Sequence, residues 1–274
     1  MFEQLAMFMA AVLVSAFGTI VGFGGGVFMV PLLVLFFHVP IHFAVGSVIL
    51  ALFPAAVIST IHNLRRGFVD LVVGILLEIP TIGGTVLGAW LTRYLPTVQL
   101  ALLFSGMVTL TGFSMLRQEY GNTSSKFSFL TSLNRLPPRL ERKTPNGSYT
   151  IGGLTTVLFG SLSGIIAGLF GIGGGFIKGP LMVLGFGMPA RVAAPTALFM
   201  IMITSLVGSV SHYLLGHLQL ETGLFLTAGF TLGSILGNLR SASIAEKNLV
   251  QWIAWGLVVA GLVMAIFTVT GPAR

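Results

Sequence analysis

Residues 22–31 read Gly22-Phe23-Gly24-Gly25-Gly26-Val27-Phe28-Met29-Val30-Pro31, and residues 171–180 read Gly171-Ile172-Gly173-Gly174-Gly175-Phe176-Ile177-Lys178-Gly179-Pro180. The pattern GxGGGxxxxP thus occurs twice, at an offset of 149 residues. Working outward with no gap, Pro40 meets Pro189, Ala44 meets Ala193, Gly67 meets Gly216, Gly74 meets Gly223, Gly84 meets Gly233 and Gly88 meets Gly237. The stretch from Gly22 to Gly88 holds 18 identities in 67 positions. Apolar composition inflates Leu and Gly matches, but it does not place the glycine triplet and its proline twice in one register. The sequence reads as an internal duplication.

The surroundings of the two motifs set the class. The chain has 274 residues, 55% of them hydrophobic, with 36 further glycines, 8% charged residues and a mean hydropathy of +0.99. A soluble domain carries roughly 25% charge, so this chain could not cover a water-facing surface, and an ordinary soluble enzyme and a disordered chain are both excluded. The apolar segments are Leu5–Val21, Val27–Phe37, Ala44–Ile61, Phe68–Leu91, Val98–Leu116, Thr150–Phe170, Phe176–Phe186, Val192–Leu215, Leu220–Leu239 and Leu249–Phe267. Most are long enough to span a bilayer. Val27–Phe37 and Phe176–Phe186 have 11 residues each, about 16 Å of helix or half the hydrocarbon thickness. Helix is expected throughout, because an open sheet edge is not tolerated in lipid. The fold class is therefore an all-α polytopic membrane protein of the cytoplasmic membrane. The first segment has no basic flank and reads as a retained helix rather than a signal peptide.

One long polar stretch, Arg117–Ser148, carries Arg117, Lys126, Arg135, Arg139, Arg142 and Lys143 against Glu119 and Glu141. It divides the chain into a first repeat (1–116), a basic linker (117–148) and a second repeat (149–274). If each glycine motif is a hairpin turn, each half has five segments. Arg65, Arg66, the linker, Arg191, Arg240 and Lys247 then share one side, with Arg93 and Arg274 on the other. If each motif is instead a kink in one long crossing, Arg191, Arg240 and Lys247 move to the outer side and Arg274 to the inner one. The hairpin arrangement satisfies the positive-inside rule better. It puts the linker in the cytoplasm and both termini outside, and it turns the second repeat upside down. Inverted repeats around broken helices are a recurrent transporter plan.

The glycine elbows have a chemical reading beyond close packing. A short helix follows each triplet, which leaves the amides of Gly26, Val27 and Phe28, and of Gly175, Phe176 and Ile177, at helix starts. Helix starts offer hydrogen-bond donors and partial positive charge to an anion. Candidate substrate-binding residues are accordingly Gly24, Gly25, Gly26, Val27, Gly173, Gly174, Gly175, Phe176 and Lys178. Neither a phosphate-binding P-loop nor a dinucleotide fingerprint is present, since the Gly-Lys-Ser/Thr ending and the third fingerprint glycine are both missing.

Lys178, whose counterpart is Met29, either snorkels to an interface or supplies a full positive charge beside the elbows. Glu78, midway along its segment, can pair with Lys178, carry a coupling proton, or pair with an arginine elsewhere; intramembrane carboxylates are functional by default. Asp70 and Glu221 read as interfacial. His212 with Ser205, Ser209 and Ser211 makes one segment end polar, and Asn63 is the counterpart of His212; Asn63, Ser209 and His212 join Glu78 as candidate pocket or coupling residues. His38, His42, His62 and His217 read as loop histidines facing water. No HExxH pair, no cysteine and no catalytic triad can be assembled, so no metal, cofactor or enzymatic chemistry is expected. The net charge of +7 lies in loops and fits a bilayer better than nucleic acid.

The GxGGGxxxxP elbow, its repetition and the basic linker resemble the TauE/SafE family of membrane permeases, the sulfite-exporter family. The resemblance covers the chain outside the linker. The family signature falls on Gly22, Gly24, Gly25, Gly26 and Pro31, and again on Gly171, Gly173, Gly174, Gly175 and Pro180. It implies a carrier of small sulfur-containing anions, such as sulfite or organosulfonates. The sequence shows no nucleotide-binding motif, so uphill transport is expected to draw on an ion gradient, with a coupling proton or cation, or on the membrane potential. A small-anion channel and a non-transporting assembly partner are the alternative classes.

Overall fold

The computed structural model describes residues 2–116, 132–144, 147–240 and 246–270; Arg117, Lys126 and Arg274 of the charge count lie outside the described residues. The first half consists of α1 (Phe2–Val21), α2 (Gly26–Leu35), α3 (Ile41–Arg65), α4 (Leu71–Thr92) and α5 (Thr97–Leu116). A hairpin of β1 (Arg139–Thr144) and β2 (Gly147–Gly152) precedes α6 (Gly153–Phe170), α7 (Gly175–Pro180), α8 (Ala190–Leu214), α9 (Leu220–Arg240) and α10 (Glu246–Thr270). A π-helical turn, Leu181–Gly185, continues α7. The starts of α2, α3, α4 and α5 each recur 149 residues later as the starts of α7, α8, α9 and α10. Among the described residues, α1, α3, α4, α6, α8 and α9 are long and apolar enough to cross a membrane, and α2 and the α7 stretch are short apolar helices. Among the described residues the protein is an all-α multi-pass membrane protein with one small hairpin.

Local sequence explains the matching boundaries. Pro40 and Pro189, both extended, precede α3 and α8. At the far ends, Gly67 (φ 68°) and Gly216 (φ 71°) take the left-handed conformation. There Phe68 N bonds to Asn63 O and His217 N to His212 O, closing the same C-terminal motif twice.

Glycines set the helix pairing. Along α4 and α6 the neighbours advance together: Pro80 lies beside Gly160, Thr81 beside Gly164 and Thr85 beside Gly168. A Cβ on Gly88 would stand 2.1 Å from Ile165 O, so backbone touches backbone here. Gly84 packs in the same way, whereas Gly83 faces open space. The same seam joins α1 to α9, where Gly229, Gly233 and Gly237 meet Ala11, Val12 and Ala16 in rising order. Such contacts make α1, α3 and α9 run in one direction and α4, α6 and α8 in another. Along α3 and α8 the order reverses, with Gly46 near His212 and Ile49 near Gly208.

The expected helix over Thr150–Phe170 is corrected at its start: Thr150–Gly152 is strand. Arg139 pairs with Gly152 and Thr144 with Gly147 in antiparallel register. Tyr149 and Ile151 are buried while Ser148 is exposed, the two-residue alternation of a half-covered strand. The constraint against sheet edges acts in hydrocarbon, and this hairpin sits at the end of the bundle, with Thr150 N bonded to Phe186 O in a loop.

Candidate functional site: paired glycine elbows and a buried ion pair

Each elbow uses its glycines in one way. Gly22, Gly24 and Gly25 have φ of 87°, 76° and 91°, and Gly171, Gly173 and Gly174 have φ of 67°, 70° and 70°. Only glycine takes this conformation three times in four residues at little cost. Gly25 and Gly174 cap α2 and α7 with no side-chain hydrogen bond. Phe28 and Met29 amides bond to Gly25 O, and Ile177 and Lys178 amides to Gly174 O. The expected set of open amides therefore shrinks: those of Phe28 and Ile177 already have carbonyl partners.

The elbows meet. A Cβ on Gly26 would lie 3.2 Å from the Cα of Ile172, and one on Gly175 would lie 3.3 Å from Gly22 O. Leu52 of α3 and Ile201 of α8, themselves 149 residues apart, press on both glycine groups: Gly24 and Gly173 each face the two of them. Both side chains are fully buried. Leu52 lies 11 residues past Ile41, about 16 Å along the axis, so the meeting point is near mid-depth of a core about 30 Å thick. Val27 and Phe176 are buried against the same apolar core.

Beside the second elbow stands an ion pair. Lys178 Nζ donates to Glu78 Oε2 at 2.8 Å and to Thr204 Oγ1 at 2.8 Å, and the Thr204 hydroxyl donates to Glu78 Oε1. Lys178 is 0% exposed and Glu78 2%, so Lys178 does not snorkel. Its Cε is 3.5 Å from where a Gly174 Cβ would be, and Thr204 is one turn along α8 from Ile201. Helices α4, α7 and α8 thus bring together residues 78, 178 and 204. The role of Thr204 escaped sequence reading, because a lone Thr in an apolar helix gives no signal of its partners.

The other candidates lie apart from this cluster. Asn63 donates to Ser59 O at 2.8 Å and toward Asn238 Oδ1 at 3.5 Å, in a seam between α3 and α9. Ser209 donates to Ser205 O of its own helix. His212 is fully buried, with Nε2 2.8 Å from Gly168 O and Nδ1 without a partner among the described residues. His42 and His217 are not plain solvent histidines. Their rings lie 5.0 Å apart, and they reach the carbonyl of Leu95 and the hydroxyl of Thr92, respectively. Burial, followed by the neighbouring His42, holds His217 below the usual histidine pKa. At the opposite end of α4, Asp70 caps the helix through the amides of Val72 and Val73 and accepts from Tyr149 and Arg142. Burial pushes the Asp70 carboxyl up, but those donors outweigh it and leave it below its usual value. Burial and then Asp70 raise the Tyr149 phenol to about 12.

The broken helices, glycine seams and buried charge define a multi-pass membrane transporter of the helical type. The chain matches the family Sulfite exporter TauE/SafE over residues 7–264 and belongs to it. It is a membrane transporter of small anions, not an enzyme. Probable membrane transporter protein YunE of Bacillus subtilis is 27% identical over 251 residues, covering 89% of this chain and 90% of the relative. Probable membrane transporter protein MJ0441 of Methanocaldococcus jannaschii is 22% identical over 269 residues, 93% of this chain and 92% of the relative. Sulfite exporter TauE/SafE family protein 3 of Arabidopsis thaliana is 37% identical over 93 residues, 34% of this chain and 19% of that protein. No solved structure matches the chain.

Proposed function

We propose that this protein is a secondary transporter carrying a small sulfur-containing anion, a sulfonate or sulfite, across the cytoplasmic membrane between two inverted repeats. The observation that carries the reading is the meeting near mid-depth of two glycine elbows that have no side-chain cap, with the Lys178 ammonium beside one of them. A sulfonate presents three oxygens to amide and ammonium donors at once, and charge-assisted bonds to it are the stronger kind. The family name and that of the Arabidopsis relative point to sulfite. Inversion is supported by helix direction: α1 runs opposite to its counterpart α6, α3 to α8 and α4 to α9. Residues 1–116 and 149–274 form the repeats, with 117–148 between them on the cytoplasmic side.

Leu52 and Ile201 close over the elbows, so passage requires the halves to move relative to each other. A channel would need no such movement, and its flux would be conductive and unsaturated. The test is flux into proteoliposomes with sulfite, an alkyl sulfonate and an aryl sulfonate in parallel. Saturable flux of at least one is expected; conductive, unsaturating flux refutes the carrier. The chain has no cysteine, so orientation can be read by impermeant maleimide labelling of single cysteines. Tyr94→Cys should label in intact cells, and Ser148→Cys and Arg240→Cys only after permeabilisation. Labelling at 240 but not 148 would refute inversion.

A further inference from the structure

We infer that the Glu78–Lys178 pair couples anion binding to a proton: the anion replaces Glu78 on the Lys178 ammonium, and Glu78 takes up one proton as it lets go. This rests on the anion-transport reading above and assigns the coupling ion, which that reading leaves open.

The fold itself does not require the pair. The first elbow has the same left-handed glycines and the same capping bonds, yet the positions matching Lys178, Thr204 and Glu78 are Met29, Ala55 and Thr227. A buried ion pair seldom stabilises more than apolar packing would. Two charges placed at mid-depth on one side only are therefore unexplained by elbow formation.

Charge balance then decides the coupling. With Glu78 ionised and Lys178 protonated, the site is neutral. An anion entering alone would leave a net negative charge in a fully buried place, which is costly. An anion entering with one proton on Glu78 leaves the site neutral again: ammonium, anion and carboxylic acid. The atoms are placed for the exchange. Lys178 has three N–H donors, and among the described residues Glu78 and Thr204 take two of them. Thr204 bonds both members of the pair, and its hydroxyl oxygen can accept the acid proton of Glu78 once the carboxylate is neutralised.

Few other groups compete for that proton. Neither α6 nor the turn Leu181–Gly185 has a titratable side chain. On α7 the only one is Lys178 itself. On α4, Asp70 lies two turns before Glu78 and is held by Arg142 and Tyr149. On α8, Arg191 and Tyr213 are exposed at the ends, and His212 lies two turns beyond Thr204 against Gly168 O. The anion and its proton travel in the same direction, and the coupled step moves no net charge.

The test uses the purified full chain with ethanesulfonate and benzenesulfonate, which stay anionic between pH 5.5 and 8, and with sulfite as a third probe. Binding to wild type in weakly buffered solution should take up one proton per sulfonate. Sulfonate affinity should fall with rising pH, approaching tenfold per unit in the alkaline limb. Glu78→Gln should bind with pH-independent affinity and no proton uptake. Should Glu78→Gln not fold, the two wild-type measurements still decide. Sulfonate binding by wild type with flat affinity and no proton uptake overturns the coupling. Absence of binding by all three probes at pH 5.5 overturns the cargo reading, and the coupling with it.

Discussion

The second elbow is flanked by Lys178, Thr204 and Glu78, and the positions that match them in the first half are Met29, Ala55 and Thr227, all uncharged. The two elbow backbones agree: three left-handed glycines, a cap carbonyl accepting two amides, and a helix proline six residues past the last of those glycines. Elbow geometry is thus written in the glycines, while charge is an addition to one copy. Two elbows of matching backbone supply their own control, because one shows what the other would look like without the ion pair.

The largest expected effect comes from breaking that pair on one side. Lys178→Met leaves the Glu78 carboxylate buried without its cation, which costs about 3–5 kcal/mol near neutral pH. The triple variant Lys178→Met, Glu78→Thr, Thr204→Ala copies the first elbow and should recover most of that stability while losing anion binding. Thermal unfolding in detergent compares the three proteins. A triple variant no more stable than Lys178→Met would show that the second elbow needs its charges to fold, and the comparison would fail.

Next in size is the glycine that the elbows share. Alanine in the left-handed region costs about 1–2 kcal/mol in either half. A Cβ on Gly25 would also stand 2.6 Å from Val14 O, against 3.1 Å between a Gly174 Cβ and Ser163 O. Gly25→Ala should therefore lower the melting temperature more than Gly174→Ala does. Equal losses would mean that the backbone relaxes freely at the first elbow. Alanine at these positions is strained whatever its effect on binding, so it does not isolate a ligand role. Gly26, outside the left-handed region and 3.0 Å from Leu52 at the nearest, suits that purpose better than Gly175, where a Cβ would stand 2.4 Å from Ile201.

Much of this was legible in the sequence, and the reasons are particular. The triplets Gly24–Gly26 and Gly173–Gly175 announced broken helices, and the 149-residue offset fixed where each counterpart lies. Lys178 and Glu78 stood out because ionisable residues are rare in apolar runs, and their pairing was one of the options open to Glu78. Thr204 was hidden, since its role depends on α4, α7 and α8 converging across 126 residues of separation from Glu78. Leu52 and Ile201 were hidden for the opposite reason: an aliphatic side chain in a membrane helix is the commonest thing there. The strand residues Thr150–Gly152 read as the start of a helix because Thr150 and Ile151 continue the apolar run that follows, and only the hairpin partner reveals their alternation. His42 and His217 are drawn together by helix ends that no local pattern specifies.

A third comparison sets the hairpin against the matching place in the first half. Tyr149 packs near Phe186, Met188 and Asp70, whose counterparts Phe37, Val39 and Gln219 line a cavity of about 230 Å³. One end of the bundle is filled and its counterpart is open, and Asp70 is the pin. Its carboxyl lies below the usual value when folded. The stabilisation is therefore complete above the unfolded pKa of about 3.9 and is lost as pH falls through the lower folded value. Asp70→Asn should cost about 1–2 kcal/mol, discounted because Arg142 is partly exposed. It should speed hydrogen exchange across Gly147–Gly152 and leave the amides of α9 unchanged. Uniform acceleration across both regions would mean that Asp70 supports the whole bundle and not the hairpin.

The smallest effect separates Asn63 from its counterpart His212. Each stands at the third position from the end of its helix and accepts, through its carbonyl, the amide that closes the C-terminal motif. Their side chains differ in reach. Asn63 bonds its own helix at 2.8 Å and another helix only at 3.5 Å, whereas His212 bonds Gly168 O on α6 at 2.8 Å. Side-chain bonds between membrane helices average about 0.6 kcal/mol, and a bond at the distance limit contributes less. Asn63→Ala should therefore cost under about 1 kcal/mol, as Ser59, Ser234 and Asn238 keep bonds to one another. His212→Ala removes a short interhelical bond and a buried ring together, so its loss should be at least twice as large in the same thermal assay. His212→Asn would restore the side chain found in the first half without the reach to Gly168, and its cost should fall between the two. Should Asn63→Ala prove the more damaging, the seam between α3 and α9 would be the stronger junction, and the histidine would be the replaceable member of the pair.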